Sequence, residues 1–137
     1  MPLDVVVVMD PIASIKPAKD STFAMLLEAQ RRGHRLHYAL PGSLAVADGI
    51  AQATVASLEV RDSKTDWFSI GPAVVRPFAT GDLVLMRKDP PVDADYLHDT
   101  QILGLAQAQG ALVVNDPQGL RGFSEKRGAL WCPQCCR

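Results

Sequence analysis

The run Leu3–Met9 constrains this chain more than any other feature. Val5-Val6-Val7-Val8-Met9 is unbroken apolar sequence, β-branched for four residues, and it stops at Asp10-Pro11. A strand with one wet face alternates apolar and polar residues, so a continuous run of this kind must be covered on both faces. It is far too short to cross a bilayer. The structure it demands is a strand inside a parallel sheet with helices above and below. Leu83–Met86 and Ala111–Val114 have the same character. These three runs are expected to lie parallel in one sheet.

The segments between them supply the helices. Asp20-Ser21 suits a helix start. Phe23, Ala24, Leu26 and Leu27 then form an apolar face, with Glu28, Arg31 and Arg32 opposite. Gly33 suits the C′ position, and His34–Leu40 reads as a returning strand, which completes a βαβ unit. Asp93 caps a second helix running to about Gln109. The stretch Asp10–Lys19, with Pro11 and Pro17, reads as loop. Residues 42–78 read as a β-rich insertion. Its hairpin is Leu44–Ala47 and Ile50–Val60 about a turn at Asp48-Gly49, and Trp67–Ile70 forms a further short strand ended by Gly71-Pro72. Arg121–Arg137 shows no clear period. The expected class is α/β: a Rossmann-like, doubly wound parallel sheet flanked by helices, with a β-hairpin insertion.

Composition narrows the function. The 137 residues are 47% hydrophobic and 21% charged, as in an ordinary globular domain, and the net charge is -1. Bulk electrostatic binding of nucleic acid is disfavoured. No membrane association is expected, no secretory leader is visible, and the cytoplasm is the expected compartment. There Cys132, Cys135 and Cys136 stay reduced. With no upstream Cys or His pair they make half a zinc site at most, and they read as ordinary thiols. No Gly-x-Gly-x-x-Gly follows Val5–Met9, and neither a P-loop nor a Gly-x-Ser-x-Gly elbow occurs. Dinucleotide binding and α/β-hydrolase chemistry are therefore not expected. His34 and His37, three apart about a strand, fall on opposite faces and do not share a metal. His98 reads as helix surface. Asp95 and Asp99 read as acidic residues favoured near a helix start. Trp67-Phe68 reads as core or interface.

Chemistry is expected at the sheet's carboxyl edge, where ligands bind in such folds. Asp10-Pro11, Arg87-Lys88-Asp89 and Asn115-Asp116 each follow a buried strand, so parallel order gathers them on one side. For Asp10 alone, a solvated loop or local ion pair explains the residue better than a site does. The Arg87-Lys88-Asp89-Pro90-Pro91 cluster points further. Arg87 is a bidentate carboxylate or phosphate clamp, Lys88 adds charge, and Asp10 and Asp89 could hold an amine or orient the cations. Such an edge suits a small zwitterion.

Longer stretches carry a family resemblance. Val8-Met9-Asp10-Pro11-Ile12, Lys19 through His34, and Leu36-His37-Tyr38 resemble the start of bacterial glutathione synthetase. Leu85 through Pro91 resembles that family's second signature. Val114 through Arg121, with Glu125-Lys126, resembles its third. The order and spacing match over nearly the whole chain. The resemblance implies an ATP-dependent ligase that joins γ-glutamylcysteine to glycine through an acyl phosphate. Mg and ATP would lie in an ATP-grasp part that has no counterpart here. By this reading, 1–122 form a pre-ATP-grasp domain and 123–137 the beginning of a linker. Neither Mg nor ATP is expected to bind this chain alone, no catalytic residue or metal ligand is assigned to it, and it is expected to be inactive by itself. Asp10, Lys19, Ser21, Arg87, Lys88 and Asp89 are the candidate substrate-binding residues, for γ-glutamylcysteine or glutathione, in a homo-oligomer. The competing reading is a stand-alone, non-catalytic module for small-molecule binding or oligomerisation.

Overall fold

A computed structural model describes residues 1–123, 127–132 and 134. In chain order the elements are β1 (Asp4–Val8), α1 (Ser21–Arg31), β2 (Arg35–Ala39), β3 (Leu44–Ala47), β4 (Ile50–Val60), β5 (Phe68–Pro77), β6 (Leu83–Met86), α2 (Ala94–Ala108), β7 (Leu112–Val114) and α3 (Pro117–Gly122). Single 3-10 turns occur at Ile12–Ser14, Pro17–Lys19 and Gly128–Trp131. No helix among the described residues is long and apolar enough to cross a membrane.

β1 is the centre. It pairs in parallel with β2 on one side and β6 on the other, and β6 pairs in parallel with β7. Val6, Val7 and Val8 have no exposed surface and Val5 has 1%. Val5, Val7 and Met9 pack with Phe23 and Leu26 of α1. Val6 and Val8 face the other way, onto Ile102, Leu103 and Ala106 of α2. Full burial of one valine is worth about 1.5 kcal/mol, so these four side chains contribute an amount comparable to a domain's net stability. The expected parallel order of the three buried strands holds. Asp20 caps α1 by accepting the Phe23 N–H at 2.7 Å, and Asp93 caps α2 from the Tyr96 N–H at 2.9 Å. The apolar face of α1 differs in detail: Ala24 is exposed, and Thr22 is buried in its stead.

The insertion is larger than its sequence suggests. β4 is long enough to serve two neighbours on one side, β2 through Ala56–Leu58 and β3 through Ile50–Ala53. The β3–β4 turn is the expected one, with Asp48 and Gly49 both at positive φ, as a two-residue hairpin turn requires. Gly71-Pro72 does not end a short strand. β5 runs through it to Pro77 and pairs along β4. Ala56 faces Ala73 and Leu58 faces Ile70, so Gly71 and Pro72 together oppose Ser57 in a β-bulge. Proline is tolerated there because β5 is an edge strand and the bulge needs no ladder bond from it. Glycine lets the Ser57 hydroxyl lie over the strand here, since a Cβ at position 71 would force that Oγ to turn away.

Two polar features tie the ends of the sheet. At the amino end, Arg35 grips Asp4 through two bonds of 2.8 and 2.6 Å, and His37 Nε2 lies 2.8 Å from the same carboxylate. The Arg35 guanidinium above all, and His37 with it, hold the Asp4 carboxyl well below the usual carboxylate range. His34 lies outside the strand, where its Nδ1 accepts the Leu3 N–H. Between α1 and β4, the Gln30 amide donates to the Val60 carbonyl at 2.7 Å and accepts the Val60 N–H at 2.9 Å. It fills the place a β2 residue would take two pairs beyond Leu36–Leu58.

Three sequence expectations are corrected. The 117–122 stretch, part of which reads as aperiodic, forms α3, capped by Asp116 through the Gly119 N–H. Asp10–Lys19 is not plain loop but holds two of the 3-10 turns. Asp99 is no surface residue of a first turn: it is 1% exposed, buried where α2 passes under the β2–β3 connection. One carboxyl oxygen accepts the Gly42 N–H at 2.9 Å, and the other has no hydrogen-bond partner among the described residues. Burial pushes this carboxyl above its ordinary value. Its ionisation therefore costs the folded state more than the unfolded one. That cost is absent below the ordinary carboxylate range, grows as pH rises toward the raised value, and is constant above it. Asp99→Asn is expected to be more stable than the parent at pH 7. Urea midpoints should show the difference shrinking as pH falls to about 4.

Candidate functional site

The carboxyl ends of β1 and β6 lie side by side, because Val8 pairs with Met86. The ladder's last bond, from the Arg87 N–H to the Val8 carbonyl at 2.8 Å, fixes where Arg87 leaves the sheet. A cavity of about 260 Å3 opens at this point, lined by Met9, Asp10, Ile15, Lys19, Asp20, Ser21, Thr22, Arg87 and Asp89. Its walls are thus the two strand ends and the first turn of α1.

The half-buried Arg87 organises the cavity. Its Nε donates to Thr22 Oγ1 at 2.9 Å and its Nη2 to Ser21 Oγ at 3.1 Å. Both partners are neutral hydroxyls. Among the described residues no carboxylate pairs with Arg87, although Arg35, Arg61 and Arg76 each have one. The guanidinium also faces the amino end of α1, where the helix dipole is positive. Two sources of positive potential therefore converge on one small polar cavity. Of the three acids in the lining, Asp20 caps α1, and Asp10 Oδ2 accepts the Asp89 N–H at 3.1 Å, pinning the loop after β6 to the end of β1.

Five of the six candidate residues meet in this cavity: Asp10, Lys19, Ser21, Arg87 and Asp89. Lys88 does not line it; its Nζ turns back to the Asp89 carbonyl at 2.9 Å. Asn115 follows β7 on the same edge, since Leu85 pairs with Val114, but it stands a strand further out and is exposed. Thr22 has no mark in the sequence. A threonine in a helix's first turn reads as a helix residue, and only the register of α1 against β6 turns its hydroxyl to Arg87. The other features singled out lie elsewhere. His98 and Cys132 are exposed. Cys135 and Cys136 lie outside the described residues.

The described residues contain no group of three or more His, Cys, Asp or Glu side chains that could hold a metal ion. What the site offers is an arginine with no carboxylate partner among the described residues, a lysine, two hydroxyls and the carboxylates of Asp10, Asp20 and Asp89. Fold and site together define an α/β domain with a small polar cavity of mixed charge at its strand ends.

Comparison with known proteins agrees. Residues 3–121 match the family model for the prokaryotic glutathione synthetase, N-terminal domain. Glutathione synthetase from Xanthomonas axonopodis pv. citri is 65% identical over 136 residues, covering 99% of this chain and 43% of that protein. The Xylella fastidiosa (Temecula1) enzyme of the same name is 60% identical over 136 residues, with the same coverage of both chains. That of Escherichia coli K12 is 48% identical over 125 residues, 91% of this chain and 40% of the relative. The chain belongs to the prokaryotic glutathione synthetase family, as its N-terminal domain. It spans about 43% of the length of the curated relatives it matches over 136 residues.

The Thr22 hydroxyl is the buried half of the brace on Arg87. Thr22→Val keeps the shape and removes the acceptor from a charged donor. It is expected to cost about 1–2 kcal/mol, since hydrogen bonds to charged groups are the stronger ones. Urea unfolding of the two chains at neutral pH measures this.

Proposed function

We propose that this domain supplies the peptide-substrate wall of a glutathione synthetase, binding γ-glutamylcysteine, or the product glutathione, through a carboxylate at Arg87. The observation that carries the reading is Arg87 held by two neutral hydroxyls at the amino end of α1. Arg76, by contrast, is neutralised by the buried Asp82 at 2.7 Å. Arg87 keeps three of its five N–H donors beyond the hydroxyl contacts and a planar fork that matches a carboxylate. Lys19 adds a second positive charge at the mouth, and the backbone-anchored Asp10 gives a zwitterion's ammonium group an acceptor. Positioning of this kind, with water displaced from the carboxylate, is what a condensation at that end of the peptide needs.

The overall reaction assigned here is the joining of γ-glutamylcysteine and glycine at the expense of ATP with magnesium, in the cytoplasm. ATP and magnesium do not fit the described residues, which offer neither a phosphate-cradling glycine loop nor a metal cluster. No step through them is derived from this chain. Its own residues bind and orient the peptide.

A second reading, an oligomerisation module, draws on one observation. β5 pairs only with β4, and Ile70, Val74 and Val75 on it are 42–63% exposed. A long apolar edge of this sort, whose one charged residue Arg76 is paired with Asp82, favours strand-to-strand contact between copies.

Titration calorimetry of this chain with γ-glutamylcysteine decides the first reading. Binding is expected, and Arg87→Ala should weaken it roughly ten- to hundredfold, the worth of a charge-assisted contact. The same chain is expected to take up no ATP. Equal affinity in the parent and in Arg87→Ala would make Arg87 structural and remove the carboxylate assignment.

A further inference from the structure

The connection from β1 to α1 carries Asp10 at one end and Lys19 at the other, and Ile12 is its only fully buried residue, 1% exposed. Both backbone polar groups of Ile12 are taken by the tips of aromatic side chains from elsewhere. Its N–H donates to the Tyr38 hydroxyl of β2 at 3.2 Å. Its carbonyl accepts the Trp67 indole N–H at 3.1 Å, across 55 residues of sequence. Trp67 belongs to the connection between β4 and β5, leans on Phe68 with ring centroids 5.6 Å apart, and packs against the same apolar cluster that holds Ile12 and Tyr38.

We infer that Tyr38 and Trp67 are positioning residues, a two-sided clamp on Ile12 through which the β4–β5 hairpin sets the substrate cavity. The physical reason lies in what the clamp replaces. A buried backbone N–H and carbonyl must be paired, and this segment has no strand neighbour to pair them. Two aromatic side chains do it instead, and each is rigid enough to act as a strut, with only two torsions per side chain. The Ile12 backbone is thereby held in one place, and the residues on either side, Asp10 and Lys19, are held relative to Arg87. The hairpin insertion thus does more than widen the sheet: it reaches back over β2 and locks the site's loop from outside.

The assignment of the cavity to a peptide substrate underlies this inference, so the test reads the loop and the ligand separately. Trp67→Phe and Tyr38→Phe each keep a ring and delete one bond. Hydrogen exchange followed by mass spectrometry reports the amides of residues 12–19, with those of α2 as an internal reference. Calorimetry reports affinity for γ-glutamylcysteine. In each variant, exchange over 12–19 is expected to rise roughly three- to tenfold while α2 is unchanged, as for the loss of a single hydrogen bond. Affinity should fall by a similar factor, and Trp67→His, which restores a ring N–H, should recover part of both. Unchanged exchange over 12–19 overturns the clamp. Faster exchange with unchanged affinity, or a rise shared equally by α2, also overturns it, since either shows a role in general stability rather than in positioning. If the parent chain does not bind γ-glutamylcysteine, the substrate assignment fails and with it the positioning role, while the exchange arm still decides whether Ile12 is clamped.

Discussion

Four consecutive valines with essentially no exposed surface leave β1 without a solvent face. Every other element answers that condition. β2 returns beside β1 in parallel through α1, and β7 returns beside β6 in parallel through α2, because a crossover helix is the short way to cover a face while returning in the same direction. Covering both faces needs crossovers on both sides, and α1 and α2 provide one each. The carboxyl ends of β1 and β6 are then adjacent of necessity. Residues 10 and 87 become neighbours through burial of side chains that touch neither.

The electrostatics of the edge follow from the same geometry. A helix that begins just beyond the strand ends points its positive pole at them. Among the described residues Arg35 and Arg76 are matched to Asp4 and Asp82, whereas Arg121 donates to the Thr100 carbonyl. Arg87 is matched to hydroxyls, which fix its direction without cancelling its charge. Its position comes from Ser21 and Thr22.

Much of this was legible from the residues. Unbroken apolar runs, Asp and Ser at helix starts and Asp48-Gly49 each act locally, so a local reading finds them. The edge residues were legible because parallel order is a topological rule. What escaped depends on two segments meeting. Gly71-Pro72 looks like a stop until Ser57 stands opposite and makes it a bulge. Thr22 looks like any first-turn residue until α1 is set against β6. Asp99 looks like a helix-start acid until the loop bearing Gly42 lies over it. Lys88 erred the other way: its neighbour Arg87 enters the cavity, and consecutive residues leaving a strand point apart.

The Gln30 amide bridges α1 and the last residue of β4 by giving one hydrogen bond and taking another. That two-way demand sets a tolerance far stricter than polarity or helix preference would suggest. Glutamate has the length but would turn lone pairs toward the Val60 carbonyl. Lysine could only donate. Asparagine carries both functions on a shorter stem. A position that looks like interchangeable helix surface is chemically almost single-valued, and drift there would be read by the sheet before it was felt by the helix.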